Sequence, residues 1–119
     1  MANTYIHLDI WKDGIELTSN IYSVTKRFPR DELFGLVSQL RCAIVSVPTN
    51  IAEGSGRGSK KDFSRFISIA IGSLNEVESL IFVARNLSYV SDGEFEEIEK
   101  QIEVLGKKLG GFRKYLKNN

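Results

Sequence analysis

The sequence predicts an all-α protein, an antiparallel up-down-up-down four-helix bundle in a single domain over residues 1–119. Four segments carry apolar residues at steps of three and four, which is the period of an amphipathic helix. Short connections separate them, the first at a proline and the second rich in glycine, and no segment shows the two-residue alternation of a strand. Short connections make sequential helices antiparallel neighbours. We expect the helices at residues 8–27, 30–53, 60–89 and 92–117.

The first helix is predicted from two apolar rows between Leu8 and Phe28. Leu8, Trp11, Ile15 and Tyr22 form one row, and Leu17, Ile21, Val24 and Phe28 form the other. Pro29 ends this helix and suits the first turn of the next. The second helix carries a row that runs from Leu33 to Ile51. Pro48 lies inside that row and lacks an N–H donor, so we expect a kink there.

The third and fourth helices are predicted from their N-terminal signals. Ser59 precedes Asp62 by three residues, and Ser91 precedes Glu94 by three, as in capping boxes. The third helix continues with the row Phe63, Phe66, Ala70, Leu74, Val77, Ile81 and Ala84. The fourth carries a narrow seam of the coiled-coil type: Phe95, Ile98, Ile102, Leu105, Leu109, Phe112 and Leu116.

The middle two helices are more apolar than a monomeric bundle requires. Residues 42–47 and 66–71 are apolar or small on every side, whereas a bundle helix normally leaves one face polar. Such a pattern predicts a second buried surface and hence a homo-oligomer. The alternative is a thick core in which these two helices are simply central.

Catalytic and cofactor chemistry is not indicated. His7 is the single histidine and Cys42 the single cysteine, too few for a zinc cage, and no histidine lies near a candidate nucleophile. We therefore predict a non-enzymatic protein without cofactors or bound metal. Without a signal peptide or a run of about 20 apolar residues, we expect a cytoplasmic protein with no membrane partner.

The glycine-rich connection over residues 54–58 does not match a phosphate-binding loop of the Walker type, because Gly58 is followed by Ser59 and Lys60. It is interpreted as a bundle turn. Its glycines, its bases and the helix start that follows would still suit a phosphate group on general grounds.

Charge is spread unevenly although the net charge is only +1. Residues 92–103 hold six acids and one lysine, whereas five bases and no acid follow Leu105. Antiparallel connectivity would bring this basic tail to the same end as the start of the third helix. We call the predicted cluster the basic pole and define it by eight residues expected to contact nucleic-acid phosphates: Arg57, Lys60, Lys61, Arg65, Lys107, Lys108, Lys114 and Lys117. The alternatives are a solvated surface, or a protein-binding scaffold with no nucleic-acid role.

A polar group on the second helix also stands out. Gln39, Ser46, Asn50 and Glu53 share one side of that helix, which indicates an interhelical hydrogen-bond network or a determinant of subunit contacts. The surrounding residues resemble a known family in the following segments: Trp11, Phe28-Pro29 with Glu32, Gln39-Leu40-Arg41, Ser46-Val47-Pro48, Asn50-Ile51-Ala52-Glu53-Gly54, and Phe66 to Glu76.

That family is the bacterial four-helix-bundle proteins named for the 23S rRNA intervening sequence. The resemblance implies a homo-oligomer, a five-fold ring in known relatives, and it marks Gln39, Arg41, Ser46, Pro48, Asn50, Glu53 and Gly54 as family-motif positions. It further implies RNA, DNA or a partner protein as binding partners, because distant relatives are accessory proteins of diversity-generating retroelements. Cys42 departs from the pattern, which has a second arginine there.

Overall fold

The computed structural model describes residues 4–119, and over that range the chain is built from four long helices without strands. The helices are α1 (Asp9–Thr25), α2 (Ser38–Ser55), α3 (Lys60–Asn86) and α4 (Asp92–Asn118). Each helix packs on the next in sequence, and α1 also packs on α4. The predicted all-α four-helix bundle is confirmed, as one body of 45 × 24 × 20 Å.

The core follows most of the predicted rows. The departures are one row of α1, exposed Leu33, and the start of α3, where Phe63 and Phe66 are half-buried while Ser64 and Ile67 are buried. Leu17, Ile21, Val24 and Phe28 of the first segment are buried, as is the α4 seam apart from half-buried Phe112. The other row of α1 lies at the edge of the core, where Ile15 is 41% and Tyr22 37% exposed. That row leaves the core because Ile10 and Gly14 occupy the buried face of α1 in its place.

The second helix begins later than predicted. A 3-10 turn (Arg30–Glu32) and a π turn (Leu33–Val37) precede α2, and Gly35 leaves helical geometry with φ −114° and ψ −109°. The side chain of Glu32 accepts a hydrogen bond from the Leu36 amide at 3.2 Å, as a local cap would. Leu36 and Val37 are buried, whereas Leu33 and Phe34 are exposed. Because these apolar residues keep helical spacing, the sequence pattern predicted a continuous helix where the structure has two separate turns before α2.

Packing between α1 and α2 is close at Pro48. A Cβ built on Gly14 would lie 3.4 Å from the Pro48 Cβ, which is in van der Waals contact. Helix α2 runs from Ser38 to Ser55 without interruption through Pro48, so the kink expected there stays a prediction. Pro48 has no backbone N–H to donate. Beside it, the Thr49 Oγ1 hydroxyl donates a hydrogen bond to the Val45 carbonyl at 2.9 Å.

Packing between α2 and α3 depends on Gly54. A Cβ there would lie 2.7 Å from the Phe66 Cβ and 2.8 Å from the Phe63 Cδ1, closer than real Cβ atoms approach. The crossing therefore requires a residue without a side chain.

The helix ends agree with the predicted capping signals. Ser59 Oγ accepts from the Asp62 amide at 3.1 Å, and Ser91 with Glu94 forms a complete capping box. Helix α3 ends at Asn86 and not at residue 89, because Ser88 adopts φ 63° and lets the Tyr89 amide donate to the Ala84 carbonyl at 2.9 Å. That arrangement is a Schellman-type ending with a non-glycine residue in the left-handed position.

Polar contacts line the groove between α1 and α4. Asn20 Nδ2 donates to Gln101 Oε1 at 2.8 Å, and Lys108 Nζ lies 2.8 Å from Asp13 Oδ2. Arg27 pairs with Glu94 further along.

Helix α3 is long and apolar enough to cross a membrane by length and composition. A search for an uninterrupted apolar run does not find this helix, because serine, asparagine and glutamate interrupt α3. In the bundle α3 packs against both α2 and α4, and the core helix of a water-soluble protein meets the same criterion.

Candidate nucleic-acid interface

A cavity of about 720 Å³ lies where the start of α3 meets the end of α4. Lys60, Lys61 and Arg65 of α3 line it together with Lys117 of α4. These four members of the predicted basic pole are far apart in sequence, and the antiparallel packing of α3 on α4 brings them together. An open cavity with four cationic side chains at its rim concentrates positive potential.

The two arginines of the pole each have a carboxylate neighbour close in sequence. Arg57 Nη2 lies 2.9 Å from Glu53, and Arg65 Nη2 lies 3.2 Å from Asp62. The arginine side chains are 43% and 67% exposed, and ion pairs at such sites are worth less than about 1 kcal/mol. An incoming phosphate can therefore compete for both guanidinium groups.

Lys108 is engaged elsewhere. Its ammonium group pairs with Asp13 on α1, and the hydrogen bond to that carboxylate raises the lysine pKa. Lys107 and Lys114 are exposed on α4. They are seven residues apart, hence on one side of the helix at a separation of about 10 Å.

An exposed aromatic ring lies beside the basic pole. Tyr115 is 52% exposed, and Lys60 Nζ sits 5.5 Å from the centre of its ring. Phe112 stacks against Tyr115 with centroids 6.1 Å apart and is itself braced edge-on by Phe63. The rings form a supported platform of the kind on which unpaired bases stack.

Sequence reasoning missed two polar residues that line the cavity and a third, Arg113, that contacts one of them. Ser64 and Ser68 line the cavity from α3, and Arg113 Nη1 of α4 donates to Ser68 Oγ at 3.2 Å. Ser64 and Ser68 are four residues apart on a helix whose core row is apolar, and this spacing was the available signal. Arg113 was counted among the basic residues of the tail but not among the eight that define the pole.

The family-motif residues form polar contacts between and within helices. Ser46 Oγ and Ser73 Oγ are 2.8 Å apart across the α2–α3 contact, and Asn50 Nδ2 donates to both the carbonyl and the hydroxyl of Ser46. Arg41 Nε donates to Thr25 Oγ1 at 3.0 Å, and its guanidinium lies 4.4 Å from the Tyr22 ring centre. Gln39 and Glu53 are exposed. This arrangement fits structural bracing of α1, α2 and α3.

The acid-rich half of α4 contains one carboxyl with unusual surroundings. Burial raises the pKa of Glu99 to about 7, and the neighbouring carboxyls of Glu78 on α3 and Glu103 add to the effect. Its Oε1 atom is buried and has no hydrogen-bond partner in the described part of the chain. Glu94 shows the opposite behaviour: hydrogen bonds from the Ser91 amide and from Arg27 lower its pKa. Within residues 4–119, no group of three or more histidine, cysteine, aspartate or glutamate side chains is arranged to hold a metal ion.

Comparison with known proteins places the chain in a family. No curated protein matches it. Among solved structures, a crystal structure of a protein of unknown function from the S23 ribosomal protein family of Bacteroides thetaiotaomicron is similar, with a TM-score of 0.79 and 21% sequence identity over 88% of this chain and 98% of that one. That likeness establishes the shared fold. The model of the 23S rRNA-intervening sequence protein family matches residues 7–111, and the chain belongs to that family.

Proposed function

We propose that the protein is a non-enzymatic, cytoplasmic homo-oligomer that binds nucleic acid through phosphate contacts at the basic pole. The observation that carries the proposal is the meeting of Lys60, Lys61, Arg65 and Lys117 around one open cavity. Contacts of this kind position a nucleic acid without reading its sequence. Tyr115, on its supported platform, adds a surface for stacking an unpaired base.

Salt dependence tests the proposal directly. Binding of fluorescein-labelled RNA and DNA oligonucleotides, measured by fluorescence anisotropy at several salt concentrations, should weaken as salt rises. The log–log slope grows by about 0.7 per neutralised phosphate for single strands and about 0.9 for duplex DNA. The double variant Lys60→Glu, Lys61→Glu should weaken binding to all sequences alike and flatten the slope.

A matched control comes from α1 and the residue that follows it. Reversing Lys12 and Lys26, which are exposed outside the basic pole, changes the net charge by the same amount. Binding should fall much less in that variant. Equal losses in the two double variants would show that net charge, and not the pole, drives binding.

Oligomerisation is supported by apolar side chains outside the core. Ile69 (47% exposed) and Val83 (46%) of α3 lie on one side of the helix with Leu87 (50%), the residue that caps its C-terminus, and exposed Glu76 lies between Ile69 and Val83. Exposed apolar stripes of this kind are typical of subunit contacts. A pentamer is proposed only on the family resemblance.

Light scattering behind a size-exclusion column tests the assembly. The wild-type mass should be a multiple of the 13.4 kDa chain, and Val83→Glu should lower it. Val104→Glu is the matched control, because Val104 on α4 is also 46% exposed but lies away from the α3 stripe. A wild-type monomer at micromolar concentration would contradict the proposal.

The alternative is a protein-binding scaffold, and one observation favours it. Phe34 is 93% exposed in the π turn, at the bundle end opposite the basic pole, and Leu33 beside it is 50% exposed. A large exposed aromatic residue is a common anchor of a protein interface. If the wild-type protein binds no nucleic acid even at low salt, the scaffold function replaces the first proposal.

A further inference from the structure

The wall of the cavity between α3 and α4 carries a hydroxyl group that is free to bind a ligand. Ser64 is only 4% exposed and lines the cavity, and its side chain makes no hydrogen bond to another group in residues 4–119. Its Oγ atom is not among the fully enclosed, unpartnered side-chain atoms of the described residues, so what exposure it has is to the cavity. A hydroxyl in this position can donate to a molecule bound in the cavity.

A second donor set lies one helical turn further along α3. Ser68 also lines the cavity, and its hydroxyl accepts from Arg113 Nη1 at 3.2 Å. Arg113 is half-buried and forms no ion pair with a carboxylate of the described chain. A half-buried guanidinium without a counter-ion is poised to accept an anion, and its remaining N–H groups suit two oxygens of a phosphate.

The cavity rim adds charge but leaves the interior donors unoccupied. Lys61 and Lys117 lie at the rim without ion pairs to other described residues, while Arg65 is held by Asp62. Asp62 and the C-terminal residue Asn119 also line the cavity, and the Asp62 carboxylate is occupied by Arg65. The hydroxyl groups on one wall, the guanidinium beside them and the ammonium groups at the mouth suit a tetrahedral oxyanion. The volume of about 720 Å³ exceeds what one phosphate fills and is in the range of small-molecule sites.

We propose that this cavity binds the terminal phosphate monoester of a nucleic-acid strand, with Ser64, Ser68 and Arg113 contacting the phosphate oxygens and the terminal nucleotide filling the remaining volume. The assignment rests on the proposed nucleic-acid function and adds to it a preference for phosphorylated strand ends. A monoester fits better than an internal diester, since it offers three terminal oxygens and more negative charge to donors on one side.

The test compares single-stranded oligonucleotides of one sequence that carry a phosphate or a hydroxyl at the 5′ or the 3′ end, with the dye at the opposite end. Anisotropy titrations of the wild-type protein should show at least about tenfold tighter binding of a phosphorylated end, the value of one lost hydrogen bond to a charged group. Ser64→Ala and Arg113→Gln should each remove most of that preference while leaving the hydroxyl-ended oligonucleotide almost unaffected. Ser79→Ala and Lys100→Gln, exposed positions on the same two helices, should retain it.

Equal binding of phosphorylated and hydroxyl ends by the wild-type protein would overturn the cavity assignment and leave the basic pole intact. An unchanged preference in Ser64→Ala would do the same. Inorganic phosphate supplies a readout that does not depend on nucleic-acid binding: it should raise the melting temperature of the wild-type protein, relative to chloride at matched ionic strength, and not that of Ser64→Ala. If phosphate raises the two melting temperatures equally or not at all, the phosphate site is refuted. If phosphate stabilises only the wild-type protein but no oligonucleotide binds, the site binds phosphate and only its assignment to a nucleic-acid end is refuted.

Discussion

The close crossing of α2 and α3 at Gly54 yields a quantitative prediction for Gly54→Ala. The new Cβ would lie 2.7 Å from the Phe66 Cβ and 2.8 Å from the Phe63 Cδ1. Ordinary contacts between carbon atoms are at about 3.5–4.0 Å, so the Phe63 ring must move and α3 must shift away from α2 at the Phe66 Cβ, each by nearly 1 Å. Overpacking of this size costs about 1–3 kcal/mol.

A favourable effect partly offsets the clash. Gly54 lies within α2, and alanine is about 1 kcal/mol better than glycine in a helix interior. We therefore expect Gly54→Ala to lower the free energy of unfolding by up to about 2 kcal/mol, the overpacking cost less the propensity gain. For a chain of this size, the largest loss corresponds to a melting temperature lower by roughly 10 °C.

Gly111→Ala is the matched control, since Gly111 lies within α4 and a Cβ there meets no atom within 4 Å. The free energy of unfolding of Gly111→Ala should be about 1 kcal/mol higher than that of the wild type, from helix propensity alone. Thermal unfolding followed by circular dichroism at 222 nm measures both variants. A Gly54→Ala protein as stable as Gly111→Ala would refute the claim that the α2–α3 distance excludes a side chain.

Three further predictions concern protonation, helix ending and assembly. The pKa of Glu99 is about 7 in the fold against a usual 4.5, so stability should fall as pH rises from 4.5 through 7. The Glu99→Gln variant should not lose stability over this range, and at pH 8 it should be about 2 kcal/mol more stable than the wild type, which is about 1.4 kcal/mol per unit of pKa shift with a reduction for partial exposure. The exposed control Glu103→Gln should keep the wild-type pH dependence. If the free energy of unfolding of Glu99→Gln, measured by chemical denaturation, falls with pH as it does in the wild type, Glu99 is not its cause. Ser88→Gly should raise the free energy of unfolding by about 1 kcal/mol by relieving the left-handed backbone, and an unchanged melting temperature would argue against strain there. Pro48→Ala should restore a backbone hydrogen bond yet alter the assembled mass, and unchanged light scattering would show that Pro48 has no role in assembly.

The fold was predictable because its determinants are local. The α4 seam from Phe95 to Leu116 and the capping serines Ser59 and Ser91 are short-range signals, and the structure follows them. The break at Leu33–Val37 was not predictable, because its apolar residues keep helical spacing while Gly35 turns the backbone. Periodicity reports which residues are apolar and does not report where the chain departs from α geometry.

The candidate site was predictable only in part. Charge clustering and antiparallel connectivity were enough to bring Lys60 and Lys61 near Lys117. They were not enough to show that Lys108 turns toward Asp13, or that Arg113 reaches Ser68, because these contacts depend on the rotation of α4 about its axis. A rotation of one residue, about 100°, changes which neighbour each side chain meets, and charge counting is insensitive to it.

The polar contacts between α1 and α4 have a consequence for how the bundle opens. Asn20–Gln101, Arg27–Glu94 and Asp13–Lys108 are partly or fully exposed and contribute little each, whereas α2 and α3 are joined along a long apolar contact. Different parts of one protein unfold locally at different free energies, and the helix pair with the weakest contacts separates first. Amide hydrogen exchange should therefore be fastest along α1 and the facing side of α4, should accelerate with added salt, and should leave the α2–α3 hairpin as the last protected unit.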